Sequence, residues 1–161
     1  MHWTPLEVAA RVAKLLSPRA GERVLDVGSG VGKLCIVGAL LTEGTWVGVD
    51  RNEDCSLAAR RIAESVGATR AEFIQADAFS FDWRGFSALY FFNPFGEVDH
   101  VGDRAQHEDF AAKTHERLAR MPAGTRVVVY FDAGTELPSN YEQEHSEEIC
   151  GHTLGMWRIT R

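Results

Sequence analysis

Apolar and polar positions follow two rhythms along this chain, and the two take turns in regular order. Residues 4–16, TPLEVAARVAKLL, repeat apolar side chains at helical spacing, with Leu6, Ala9, Val12 or Ala13, and Leu16 on one face. Thr4, Pro5 and Glu7 have the form of a helix start: a hydroxyl cap, a first-turn proline, and a glutamate three residues after the cap. RVLDVG, residues 23–28, is a short β-rich run, and the VGKLCIVGALLTEG that follows is apolar nearly all round, as a helix packed on a sheet would be. TWVGVD (45–50) predicts the next strand. A helix over about 54–66 then places Ala58, Ile62 and Val66 on one face. AEFIQAD and ALYFFN predict a third and a fourth strand, residues 104–120 a helix, and TRVVVYF a fifth strand. The tail, SNYEQEHSEEI then TLGMWRITR, predicts two strands joined at Cys150–Gly151.

Strand and helix alternation favours an α/β fold, a doubly wound, mostly parallel sheet with helices on both faces. The apolar centres of VVVYF and LYFF fit strands covered on both sides, and the tail fits an antiparallel hairpin at the sheet edge. A length of 161 residues suits one domain spanning the whole chain, with residues 1–20 as an N-terminal helix and a candidate lid over the site.

Composition changes this picture little, but charge narrows the function. The formal net charge is −6, which argues against a strong, sequence-independent grip on nucleic acid. Cys35, Cys55 and Cys150 are scattered, with no C-x-x-C pair, and are expected as reduced thiols. The start carries no basic-then-apolar signal, and the longest apolar run is too short to cross a membrane. A cytoplasmic protein without membrane attachment is the expectation.

LDVGSGVG is the first segment that carries chemistry. Gly28, Gly30 and Gly32 let the chain turn sharply from strand to helix and bring backbone close to a ligand, where a plain turn needs fewer glycines. A dinucleotide site wants G-x-G-x-x-G, whose last glycine would fall where Lys33 stands. The pattern instead begins with Asp26, and a carboxylate there suits an ammonium or sulfonium ligand better than a pyrophosphate.

On these residues the segment resembles motif I of the class I, Rossmann-like S-adenosylmethionine (SAM) methyltransferases. The resemblance implies SAM as cofactor and S-adenosylhomocysteine as product, with Asp26 near the methionyl amino group and Gly28, Ser29 and Gly30 packed under the cofactor. Asp50, at the end of WVGVD, takes the place of the family's ribose-binding acid; its alternative is a cap for the next helix, a role Asn52 or Asp54 can fill. Asp77 and the N–H of Ala78, in QADAF, match the adenine-binding position, with a plain turn aspartate as the alternative. No metal site is expected, because the histidines and acids around His100–His115 lack three or four converging ligands.

FFNPFGE ends the fourth predicted strand. In amino-group methyltransferases this position often carries an Asp/Asn-Pro-Pro-aromatic motif, and Asn93, Pro94 and Phe95 resemble it with one proline fewer. Asn-Pro-Phe is also similar to the Asn-Asn-Phe of the non-SET, disruptor-of-telomeric-silencing histone lysine methyltransferases. DVGSGVGK, GVD, DAF and FNPFGEVDH run in that family's order. The resemblance implies methyl transfer to an amino nitrogen, of a protein lysine or a small amine. By itself Asn-Pro also ends a strand and starts a turn. Two other functions stay open: a small-molecule O- or C-methyltransferase, with His100 as the base near the motif, and a non-catalytic module that binds SAM or a nucleotide.

Overall fold

The computed structural model describes residues 4–92, 104–131 and 136–160, with only the backbone given for 104–107. Its elements are α1 Leu6–Leu16, β1 Arg23–Val27, α2 Lys33–Leu41, β2 Thr45–Asp50, α3 Glu53–Ser65 and β3 Ala71–Gln75. Two 3-10 turns follow, Ala78–Ser80 and Trp83–Gly85, then β4 Ala88–Phe92, α4 Arg104–Leu118, β5 Arg126–Tyr130, β6 Tyr141–Ile149 and β7 His152–Ile159.

The strands form one seven-stranded sheet in the order β3-β2-β1-β4-β5-β7-β6. β1 to β5 pair in parallel, while β7 runs antiparallel to both β5 and β6. This is the expected doubly wound sheet with an antiparallel edge hairpin. The hairpin turns at Cys150 and Gly151, with φ of 51° and 81°, the left-handed pair that matches strand twist in a two-residue turn. Strand order reverses between β1 and β4, whose ends lie side by side with Val27 opposite Phe91. Ligands bind at such a reversal because the loops leaving the two strands part there and open a crevice.

One face of the sheet is covered by α1, α2 and α3 through Val8, Val12, Leu16, Leu34, Ala39, Ala59 and Ala63. The other is covered by α4 and the second 3-10 turn, through Leu118, Met121, Trp83 and Phe86. The α3 face differs from its expectation. Ile62 and Val66 are 43% and 48% exposed, and the buried residues are Ser56, Ala59 and Ala63. The reason is close approach: a Cβ placed on Gly32 would lie 2.9 Å from the Ala59 Cβ, so only small side chains fit between α3 and the loop beneath it.

Helix α1 also differs at its start. Thr4 does not cap it; Pro5 holds the cap position, and the Thr4 hydroxyl lies 3.0 Å from the Tyr90 hydroxyl. Leu6, expected inward, is 63% exposed. The inward face of α1, Val8, Ala9, Val12, Ala13 and Leu16, is part of the core, so this helix forms a structural layer in the position shown. Among the described residues no helix is long and apolar enough to cross a membrane.

Candidate active site

The glycine loop leaves β1 at Gly28 and is laced to the end of β2. Val49 O accepts the N–H of Gly28 at 2.9 Å and of Ser29 at 3.0 Å. Gly30 N–H donates to Asp50 Oδ2 at 2.8 Å, and Asn52 N–H donates to Asp50 Oδ1 at 2.8 Å. The Asp50 carbonyl in turn accepts Ala76 N–H at 3.0 Å, which ties in the end of β3. Three strand ends are thereby held as one rim.

The three glycines of the loop do different work. All have positive φ (77° at Gly28, 53° at Gly30, 76° at Gly32), a region costly for residues with a Cβ. A Cβ on Gly28 or Gly30 would meet no atom within 4 Å, whereas one on Gly32 would sit 2.3 Å from the Phe73 ring. Gly32 is therefore needed for packing. Gly28 and Gly30 border open space, a cradle of backbone that a flat ligand can approach closely. Ser29 faces the sheet: a Cβ on Gly48 would fall 2.6 Å from its Oγ, so Gly48 makes room for the loop to lie flat.

Asp26, the residue before Val27 on β1, is 4% exposed. It is paired across the sheet with Gly48 on β2 and Tyr90 on β4. Its Oδ2 accepts from the Cys35 thiol of α2 at 3.7 Å. Burial, and secondarily the Asp50 charge, push its carboxyl up to about 7, against the downward pull of the thiol. Burial and the neighbouring Asp26 raise the Cys35 thiol well above its usual range, so it stays protonated and donates.

Asp50 keeps acceptor capacity. A carboxylate offers about four lone-pair sites, and two backbone N–H groups occupy one on each oxygen. That leaves room for two hydroxyl donors. Asn52 rather than Asp50 caps α3, its side chain accepting from Cys55 N–H at 3.2 Å.

Asp77 stands past the end of β3, where its Oδ1 accepts Phe79 N–H at 2.9 Å and Oδ2 accepts from Arg51 Nη2 at 2.6 Å. The Phe79 N–H and then the Arg51 guanidinium hold its carboxyl below the usual range. Ala78 opens the 3-10 turn that this aspartate caps. Phe79 stacks on Trp83 with centroids 5.5 Å apart.

The structure thus gathers Asp26, Gly28, Ser29, Gly30 and Asp50 on one rim, with Asp77 and Ala78 joined to it through Arg51. Asn93, Pro94, Phe95 and His100 lie outside the described residues; Phe92, immediately before Asn93, ends β4 next to β1. Two residues of the site escaped sequence reasoning. Arg51 follows Asp50 directly, yet only the fold shows that it reaches Asp77. Cys35 gave no signal, because a lone cysteine in an apolar helix reads as core.

Residues 18–157 match the family model described as a methyltransferase domain. No curated protein matches the sequence. Among solved structures, an RNA methyltransferase from Salinibacter ruber in complex with S-adenosyl-L-homocysteine is similar, with 24% identity and a TM-score of 0.71 over 98% of this chain and 94% of that one. TrmN from Thermus thermophilus has 21% identity and a TM-score of 0.75, over 96% of this chain and 48% of that one. The mitomycin 7-O-methyltransferase MmcR has 17% identity and a TM-score of 0.69, over 96% and 54%.

Proposed function

The chain belongs to the methyltransferase-domain family, with S-adenosylmethionine as its cofactor, and we propose that it transfers the methyl group to an amino nitrogen of a protein lysine or a small amine. The observation that carries this reading is the strand order: β4, which ends at Phe92 just before Asn93 in sequence, lies beside β1, from which Gly28 departs. The cofactor supplies a methyl group activated on a sulfonium.

The residues fit the cofactor. The open faces of Gly28 and Gly30 accept it over the Ser29 backbone, and Asp26 offers a buried carboxylate to an ammonium. Asp50 has acceptor capacity for the two ribose hydroxyls. Asp77 with the Ala78 N–H offers an acceptor and a donor to an adenine edge. By the resemblance, the side-chain oxygen of Asn93 and the carbonyl that follows would accept the N–H groups of the acceptor amine and aim its lone pair, and Phe95 would pack on the substrate. Positioning of this kind accounts for roughly 7–11 kcal/mol of a barrier, so no dedicated base is needed once the amine is neutral. The similarity to the disruptor-of-telomeric-silencing lysine methyltransferases is part of this proposal, as is a cytoplasmic location.

An RNA base is the second reading. The Salinibacter RNA methyltransferase, which aligns over nearly its whole length, favours it, and the net charge of −6 opposes it.

Label transfer from tritiated SAM to polylysine, spermidine, total RNA and a phenol panel tests the proposal. Amine labelling is expected, reduced about 100-fold in Asn93→Ala while S-adenosylhomocysteine affinity stays within twofold. Labelling of RNA or phenols alone, or full activity in Asn93→Ala, overturns it.

A further inference from the structure

A carboxylate sealed in an apolar layer needs donors, and Asp26 has a poor set. It lies on β1 two residues from Val24, opposite Tyr90 of β4 and against Cys35 of α2, all uncharged and all part of the α1–α2 side of the core. Among the described residues the titratable groups around it are Cys35 from α2, Asp50 from β2 and Tyr90 from β4. None is a cation. The Tyr90 hydroxyl is shared with Thr4 at the start of α1, and Asp50 repels. The thiol of Cys35, itself fully buried, is the one side chain among the described residues whose hydrogen bond opposes the cost of burying the charge. An S–H is a weak donor, but in a low-dielectric site a weak donor counts for more than it would in water.

We propose that Cys35 is a positioning residue for cofactor binding: its thiol holds the Asp26 carboxylate in the charged form and orientation that receive the cofactor's ammonium group. This rests on the reading that Asp26 binds that ammonium. Proton balance follows directly. When Asp26 is protonated, binding an ammonium ligand releases one proton to solvent and leaves the ion pair. When it is already ionised, binding releases none. Cys35 sets where one regime gives way to the other. Its own proton never moves, because Asp26 and burial keep the thiol protonated.

The probe is S-adenosylhomocysteine, which carries the same ammonium group, titrated calorimetrically between pH 6 and 8.5 into wild type, Cys35→Ala, Cys35→Ser, Cys35→Val and Asp26→Asn. In wild type the affinity should rise about tenfold per pH unit below the Asp26 midpoint and level off above it. Asp26→Asn should remove the slope. Cys35→Ala and Cys35→Val should move the levelling point to higher pH, with affinity falling several-fold at pH 7 and little at pH 8.5. Cys35→Ser, which restores a donor, should return the profile toward wild type. A Cys35→Ala loss that is equal at every pH, or a Cys35→Val variant that matches wild type, marks the thiol as mere packing and overturns the inference. If wild type and Asp26→Asn bind with the same pH-independent affinity, the assignment of Asp26 to the ammonium falls first. Cys35→Ser and Cys35→Val fill the space left by the thiol, so a failure of Cys35→Ala to fold leaves the test intact.

Discussion

The two faces of the sheet are closed by opposite means. On the α1–α2–α3 face the helices contribute five alanines, Ala9, Ala13, Ala39, Ala59 and Ala63, beside Val8, Val12, Leu16 and Leu34, and the layer carries a buried carboxylate at Asp26. On the other face the described cover is α4 and two short 3-10 turns, and the filling is aromatic: Trp83, Phe86 and Trp157, with Phe79, Phe81 and Phe110 packed against them. Helices approach a sheet closely where their contact residues are small. A 3-10 turn is too short to cover a strand, so large rings must reach across the gap. The helical face can then give a precise position to a loop and a charge, while the aromatic face supplies bulk burial.

Breaking the aromatic side should cost most. Trp83 is 1% exposed, its Nε1 donates to Ala78 O at 2.7 Å, and Phe79 and Phe91 pack on its ring. Trp83→Ala should lower stability by about 3–5 kcal/mol in urea unfolding, because removing a buried indole leaves a large cavity in the layer. It should also disturb the Ala78 turn and weaken S-adenosylhomocysteine binding.

The buried charge of the helical face should show as a pH dependence. Asp26 titrates near 7 in the folded chain, above its unfolded value. Between about pH 4 and 7 the folded state holds more protons than the unfolded one, so stability falls as pH rises through that window and is flat above it. The whole drift is on the order of 4 kcal/mol at about 1.4 per unit. Denaturant titrations across pH should show this drift in wild type and lose it in Asp26→Asn.

Tight helix approach is tested at Gly38 in α2. An added Cβ there would lie 2.2 Å from the Trp46 ring, which is pinned through Nε1 to Thr42 Oγ1 at 2.8 Å and cannot swing away. Gly38→Ala should destabilise by about 1–3 kcal/mol, against the usual gain from removing a helix glycine. The smallest effect belongs to the solvent side of α4. Lys113 pairs with Asp109 at 2.6 Å with both side chains more than half exposed, and Lys113→Ala should change stability by no more than about 0.5 kcal/mol.

Much of this molecule was legible in the chain. The alternating rhythms name every strand of the sheet, because a strand covered on both faces must be apolar along its length, as β4 and β5 are. The turn at Cys150–Gly151 was legible too, since a break between two β-rich runs can only be a hairpin at that spacing. Asp26, the glycines and Asp50 were visible as a pattern because the chemistry needs them within one strand, one loop and the next strand's tip. Each of these depends on neighbours in sequence.

What failed, or gave no signal, depends on distance between elements. The inward face of α3 was misjudged because hydrophobicity ranks Ile62 and Val66 above Ala59 and Ala63, while closeness to Gly32 admits only a small side chain at Ala59. Thr4 has the form of a cap, yet its hydroxyl goes to Tyr90, 86 positions away in sequence. The different tasks of Gly28 and Gly32 cannot be told from their spacing, since one faces open space and the other the Phe73 ring. Cys35 is nine positions from Asp26 and looks like any buried thiol until the helix folds back over the strand. Local pattern fixes elements and their order because it acts through backbone preference and period. Which side chain meets which carboxylate is decided only when layers pack, because burial and charge depend on what lies across the gap.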